Sequence, residues 1–185
     1  MKTKIIYINI TFKLNSDDKK TFRFVVLAIF LSVEIILHYL EIFISIPVGG
    51  YSLKVGISNI IVLSALYLFG KLDSFFLTVA KVPLFMLFEP QFNLVTLLIS
   101  LSGALLSFAA MIIFKNFFDA GVILTSCIGA IFHNLGQLIT VIVITKLLAL
   151  MWYLPFLVLV GIITGYLVGV LSNLLINKLN LLKHK

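Results

Sequence analysis

Val122-Ile-Leu-Thr-Ser-Cys-Ile-Gly129-Ala-Ile-Phe-His133-Asn134-Leu-Gly136-Gln137-Leu-Ile-Thr-Val-Ile-Val-Ile144 is the stretch whose reading decides the fold. It is long and apolar enough to cross a bilayer as a helix, yet three polar side chains sit at its centre. On a helix, Gly129, His133 and Gln137 recur at i, i+4 and i+8 and share one face. Asn134 stands beside them, about 100° round the axis. Polar groups at membrane depth cost kilocalories unless paired, so they face a protein interior or a water-filled cavity. The segment therefore predicts a membrane domain that holds something polar.

Composition extends the same conclusion to the whole chain. Of 185 residues, 62% are apolar and 11% charged, and the mean hydropathy is +1.21. Soluble domains run nearer a quarter charged. This much apolar surface cannot be buried in a soluble fold of this length, which makes the chain an integral membrane protein. Cys127 is the sole cysteine, so no internal disulfide can form. The net charge of +7 is scattered between apolar runs rather than gathered on one face, which argues against a nucleic-acid partner and for membrane topology.

Six spans are expected, over residues 24–46, 55–69, 74–88, 94–114, 121–145 and 154–177, giving an all-α bundle of six transmembrane helices. The second and third are short, near 15 residues or about 22 Å, and are joined by the tight turn Gly70-Lys71-Leu72-Asp73. They read as short crossing helices or as a re-entrant hairpin. Residues 1–23 form a basic cytoplasmic arm whose 5–12 portion lies at the interface or pairs as a strand. The membrane domain covers 24–178, and 179–185 is a short basic tail. No cleavable signal is expected, because the first long apolar run begins only at Phe24 and lacks a small-x-small cleavage site.

Basic residues set the orientation. Lys2, Lys4, Lys13, Lys19, Lys20, Arg23, Lys71, Lys115, Lys178, Lys183 and Lys185 fall on one side of this topology, and only Lys54 and Lys146 on the other. The positive-inside rule then places both termini in the cytoplasm.

Other polar groups join the central three. Glu34, His38 and Glu41 share a face of the first span at i, i+4 and i+7. They suit cation coordination, a proton relay or a structural network between helices, with Glu41 the best placed to line an external cavity. Lys81 lies mid-way along the third span, too far from the Lys71 turn to snorkel fully. It needs an anionic ligand, or an ion pair with Glu34 or Glu41, and Pro83 beside it kinks the helix and frees a carbonyl. Lys54-Val-Gly56-Ile-Ser58-Asn59 opens the second span, either as an anion site at a helix N-terminus or as an ordinary capped start.

Small residues recur every fourth position at Gly161, Gly165 and Gly169, and at Ala28 and Ser32. Such faces let helix backbones approach closely, inside the bundle or against a separate membrane subunit. Motifs for Mg²⁺–diphosphate binding, for nucleotide phosphates and for metal ligation are missing from the sequence. No cofactor is expected, and no catalytic role. Uphill transport by this chain would require ATP hydrolysis by a partner, or an ion gradient.

The polar segments together resemble a bacterial family known both as the Gx transporter family and as heptaprenyl diphosphate synthase component I. The matching residues are Leu53-Lys54-Val-Gly56-Ile-Ser58-Asn59-Ile60, Lys81-Val82, Leu98-Ile-Ser100-Leu-Ser102-Gly103, Gly129-Ala130-Ile-Phe-His133-Asn134-Leu-Gly136-Gln137-Leu138, Tyr153-Leu154-Pro155, Gly161, Thr164-Gly165 and Gly169. The His-Asn-x-Gly-Gln block is the most specific of them. Pro83 and Phe85 stand where the family pattern has more glycine and leucine. The family is similar to the substrate-binding S components of energy-coupling-factor transporters. That similarity implies a six-helix bundle binding a small molecule from outside, beside a transmembrane coupling subunit and two ATPases.

On that resemblance, Glu41, Lys54, Asn59, Lys81, His133, Asn134 and Gln137 are the expected substrate-binding residues, facing a cavity open to the outside. The other family name implies a different role, as a non-catalytic accessory of heptaprenyl diphosphate synthesis or quinone and isoprenoid metabolism, partnered by a prenyl diphosphate synthase. A third reading treats the polar groups as glue between helices.

Overall fold

Each of the six apolar runs contains a helix, and a short β-hairpin separates the first two. The computed structural model describes residues 16–86 and 93–182. The 5–12 portion of the arm, Phe88 at the end of the third expected span and residues 183–185 of the tail lie outside them. The helices are α1 (Ser16–Leu40), α2 (Asn59–Leu68), α3 (Lys71–Met86), α4 (Leu94–Phe117), α5 (Val122–Thr145) and α6 (Leu154–Leu182), with strands β1 (Ile46–Val48) and β2 (Tyr51–Leu53). Among the described residues, four runs are long and apolar enough to cross a membrane: Arg23–Leu40, Leu94–Phe117, Val122–Thr145 and Leu148–Asn180. Their outward faces expose Ile29, Ile36, Ile113, Val143, Leu159, Ile163 and Leu174, a surface suited to lipid tails. The chain is a multi-pass membrane protein.

The expected first span, 24–46, is not one helix. α1 begins earlier, at Ser16, and stops at Leu40; a 3₁₀ turn, Glu41–Ile44, then leads into β1. Gly49 and Gly50 both take positive φ, 59° and 82°, the backbone of a tight two-residue hairpin turn. Strand pairing is antiparallel, with Ile46 opposite Leu53 and Val48 opposite Tyr51. This hairpin amends the all-α expectation. Its sequence signal, Gly-Gly between β-branched and aromatic residues, is concealed in an apolar run.

The expected second span is also shorter than its apolar run. α2 has 10 residues, about 15 Å, against a hydrocarbon core of about 30 Å. Residues 54–58 before it are unwound. Every α2 residue except Tyr67 is buried, as expected for a helix that is apolar all round. Irregular backbone at membrane depth survives only where protein encloses it or a cavity adjoins it. Here protein encloses it, since Lys54, Val55, Gly56 and Ser58 are all buried.

Glycine sets the closest helix approaches. A Cβ on Gly165 would lie 2.5 Å from the Cα of Cys127, and one on Gly169 would lie 2.8 Å from the Cα of Ile123. The Gly161–Gly165–Gly169 face therefore packs on α5, within the bundle. Gly136 of α5 meets α4 the same way, its Cβ position 2.8 Å from the Ser102 carbonyl oxygen. Ala28 and Ser32 instead lie on the exposed face of α1, where the Ser32 hydroxyl donates back to the Ala28 carbonyl at 2.9 Å.

The two ends of the bundle differ. At one, Arg23 donates to Asp73 at 2.6 and 2.9 Å, tying α1 to α3. There too the Lys115 ammonium donates to the Leu66 carbonyl, and Tyr67 donates to the Ala120 carbonyl at 2.7 Å. At the other end, Val48 and Leu53 of the hairpin pack against Leu138, Val141 and Leu150.

Candidate functional site

Between those ends, five segments deliver polar side chains to one buried cluster. α1 contributes Glu34 and His38, and the 3₁₀ turn contributes Glu41. The unwound leader and first residue of α2 supply Lys54, Ser58 and Asn59. α3 adds Lys81 with Phe85, and α5 adds His133 with Gln137, each pair one helical turn apart. The most accessible polar member, Asn59, is only 6% exposed.

The pairings tie these elements to one another. Lys81 Nζ lies 2.9 Å from Glu34 Oε1 and donates to Asn59 Oδ1 at 3.0 Å. This selects Glu34 over Glu41 as the ion-pair partner. Lys54 Nζ stands 3.2 Å from His38 Nε2 and 4.1 Å above the Phe85 ring, a cation–π contact. The His38 and Phe85 rings also meet in a T-shaped arrangement, with centroids 4.0 Å apart. His38 Nδ1 faces Ser58 Oγ at 3.2 Å and Glu41 Oε2 at 3.4 Å.

Two side chains hold the unwound segment by its backbone. The Ser58 amide donates to Glu41 Oε1 at 2.6 Å, and the Lys54 amide donates to Gln137 Oε1 at 3.0 Å. Each would otherwise be a buried donor without a partner. The second bond fixes which way the Gln137 amide points, so its Nε2 is the group 2.7 Å from His133 Nε2. Nε2 of His133 must then accept, which leaves the imidazole neutral with its proton on Nδ1. The same logic makes His38 neutral, since an ammonium can only donate to its Nε2.

Glycine again permits the approach. Gly56 has φ 86°, a left-handed conformation that disfavours any Cβ. A Cβ there would also lie 3.2 Å from Asn59 Nδ2 and 3.5 Å from His133 Cδ2. On α4, a Cβ at Gly103 would fall 2.7 Å from Gln137 Cγ and 3.2 Å from His133 Cε1.

Of the expected binding residues, Glu41, Lys54, Asn59, Lys81, His133 and Gln137 converge here. Their cluster is closed to solvent rather than open to the outside. Asn134 points elsewhere: its Nδ2 donates to the Leu157 carbonyl on α6 at 2.9 Å. Asn134→Ala is accordingly expected to lower stability by about 1–3 kcal/mol, the cost of an unpaired buried acceptor. It should leave the polar cluster intact, as thermal unfolding in detergent with and without bound small molecule would show. Ser58, Phe85 and Gly103 join the site without having been among the expected binding residues. Ser58 and Gly103 lay inside the segments that carry the family resemblance, whereas Phe85 left no polar signal. Glu34 and His38, for which a structural network was one expectation, are integral to it.

Among the described residues no group of three His, Cys, Asp or Glu side chains is placed to hold a metal ion. The cluster is built to bind and orient through hydrogen bonds and paired charges, enclosed by apolar helices.

No curated protein and no solved structure matches the chain. A family model described as heptaprenyl diphosphate synthase component I matches residues 30–175. That span includes every residue of the polar cluster, from Glu34 to Gln137. The chain belongs to the heptaprenyl diphosphate synthase component I family.

Proposed function

We propose that this chain is the solute-binding membrane subunit of a small-molecule uptake system of the S-component type, working beside a separate coupling protein and ATPases. One observation carries the reading. An unwound segment amid membrane helices is held by dedicated side chains, and among the described residues three buried polar atoms around it have no hydrogen-bond partner: Glu34 Oε2, Asn59 Nδ2 and His133 Nδ1. A network serving only as glue between helices tends to satisfy its members, and broken helices near the bilayer midplane are where transporters place their sites. Both termini lie in the cytoplasm in this proposal, so the hairpin end faces outward. Solute reaches the cluster when the Ile46–Val48 and Tyr51–Leu53 strands lift from Leu138, Val141 and Leu150.

The family description favours a second reading, a non-catalytic accessory that assists a prenyl diphosphate synthase. Gentle purification of the full chain from its native membrane, followed by mass spectrometry, separates the two. Two ATPases, a coupling protein and a retained small molecule are the expected companions. A soluble prenyl synthase recovered without a coupling protein would establish the accessory role instead.

A further inference from the structure

We infer that the molecule held by this cluster carries no net negative charge and offers N–H or O–H donors together with an acceptor, as an amide-bearing or zwitterionic solute does. Diphosphates are rejected. The inference rests on the solute-binding reading above and narrows its ligand.

Charge is the first ground. The cluster contains two ammonium groups, Lys54 and Lys81, and two carboxylates, Glu34 and Glu41. Lys81 is already engaged by Glu34 at 2.9 Å and by Asn59 at 3.0 Å. Lys54 is committed to His38 at 3.2 Å and to the Phe85 ring. Both histidines are neutral by their hydrogen bonds. Adding a diphosphate would place several negative charges beside two buried carboxylates, and among the described residues the cluster has no further cation to match them.

Hydrogen-bond polarity is the second ground. Among the described residues Glu34 Oε2 has no hydrogen-bond partner, Glu41 Oε2 meets only His38 Nδ1 at a long 3.4 Å, and Asn59 Nδ2 is a donor without a partner. The Asn59 orientation is set by its Oδ1, which accepts from Lys81. A complementary ligand presents donors to the two carboxylates and an acceptor to Asn59. Ionised phosphate oxygens only accept, so they would leave both carboxylates unsatisfied.

The test uses the full chain in lipid nanodiscs. Small molecules released from it on denaturation are identified by mass spectrometry, and thermal unfolding is followed with inorganic pyrophosphate and with farnesyl diphosphate at millimolar concentration. The expected result is a released compound without phosphate and no melting shift from either probe. Glu41→Gln keeps the acceptor for the Ser58 amide but turns the other oxygen into a donor. It is expected to cut the released compound about tenfold or more, the effect of losing one charge-assisted hydrogen bond. Glu34→Gln gives the same readout should Glu41→Gln fail to fold. A phosphate-bearing ligand, or stabilisation by pyrophosphate that strengthens in the glutamine variants, overturns the inference while leaving solute binding standing. Release of no compound together with no response to either probe overturns the solute-binding reading itself.

Discussion

Lys81→Met is expected to destabilise the protein by about 3–5 kcal/mol, because it strips the partner from a buried carboxylate rather than merely removing a ligand contact. Glu34 is 0% exposed, and its Oε1 lies 2.9 Å from Lys81 Nζ. The ammonium also fills the acceptor of Asn59, so the loss reaches the start of α2. The double variant Lys81→Met with Glu34→Gln should recover most of the stability, since replacing both members of a buried pair by uncharged groups is often close to neutral. A thermal-unfolding cycle of wild type, two singles and the double in detergent measures the coupling. Additive singles would show that the two side chains act independently. The sequence-based expectation allowed Lys81 either a ligand or a carboxylate partner; the geometry supplies the carboxylate.

Gly165→Leu is the second large effect. A Cβ at this position would stand 2.5 Å from the Cys127 Cα and 3.0 Å from the Ser126 carbonyl oxygen. Neither atom belongs to a flexible side-chain end, so α6 must move off α5. The expected cost is about 3 kcal/mol or more, the upper end for overpacking. Gly161→Ala should be milder, because its nearest atoms lie at 3.2 Å. Size-exclusion profiles of heated samples report both. An undisturbed Gly165→Leu protein that lost only a partner subunit would mean the glycine face serves docking instead of internal packing.

His133 and Gln137 were legible in the sequence because each interrupts a long apolar run, and helical periodicity put them on one face. Periodicity also placed Asn134 beside them, and there its power ends. An angle of about 100° is enough to send its side chain to α6 while its neighbours turn to the unwound leader. Lys81 and Glu34 were conspicuous separately, as charges within apolar helices. Which glutamate met the lysine depended on how α1 and α3 lie against each other, and local sequence has no bearing on that.

The hairpin shows the opposite failure. Ile46-Pro-Val-Gly-Gly-Tyr-Ser-Leu53 is apolar enough to pass for the end of one span and the approach to another. Two glycines at positive φ and packing of Val48 and Leu53 on Leu138 and Val141, distant in sequence, make it a strand pair. The second span was shortened for a related reason: Gly56 and the side chains of Glu41 and Gln137 hold residues 54–58 out of the helix.

Sequence by itself determined the solvent this protein lives in, the number of its apolar segments, its family and the polar groups too costly to leave in hydrocarbon. Those follow from composition and local periodicity, because the free energy of placing a residue in lipid depends mainly on that residue and its helix. Only the tertiary structure decided which buried charge met which, where α2 unwound, and that Asn134 serves α6 while His133 and Gln137 serve the cluster. Partner choice at these distances depends on the packing of helices far apart in the chain, and that packing is set by glycine contacts such as Gly165 on Cys127 and Gly136 on Ser102.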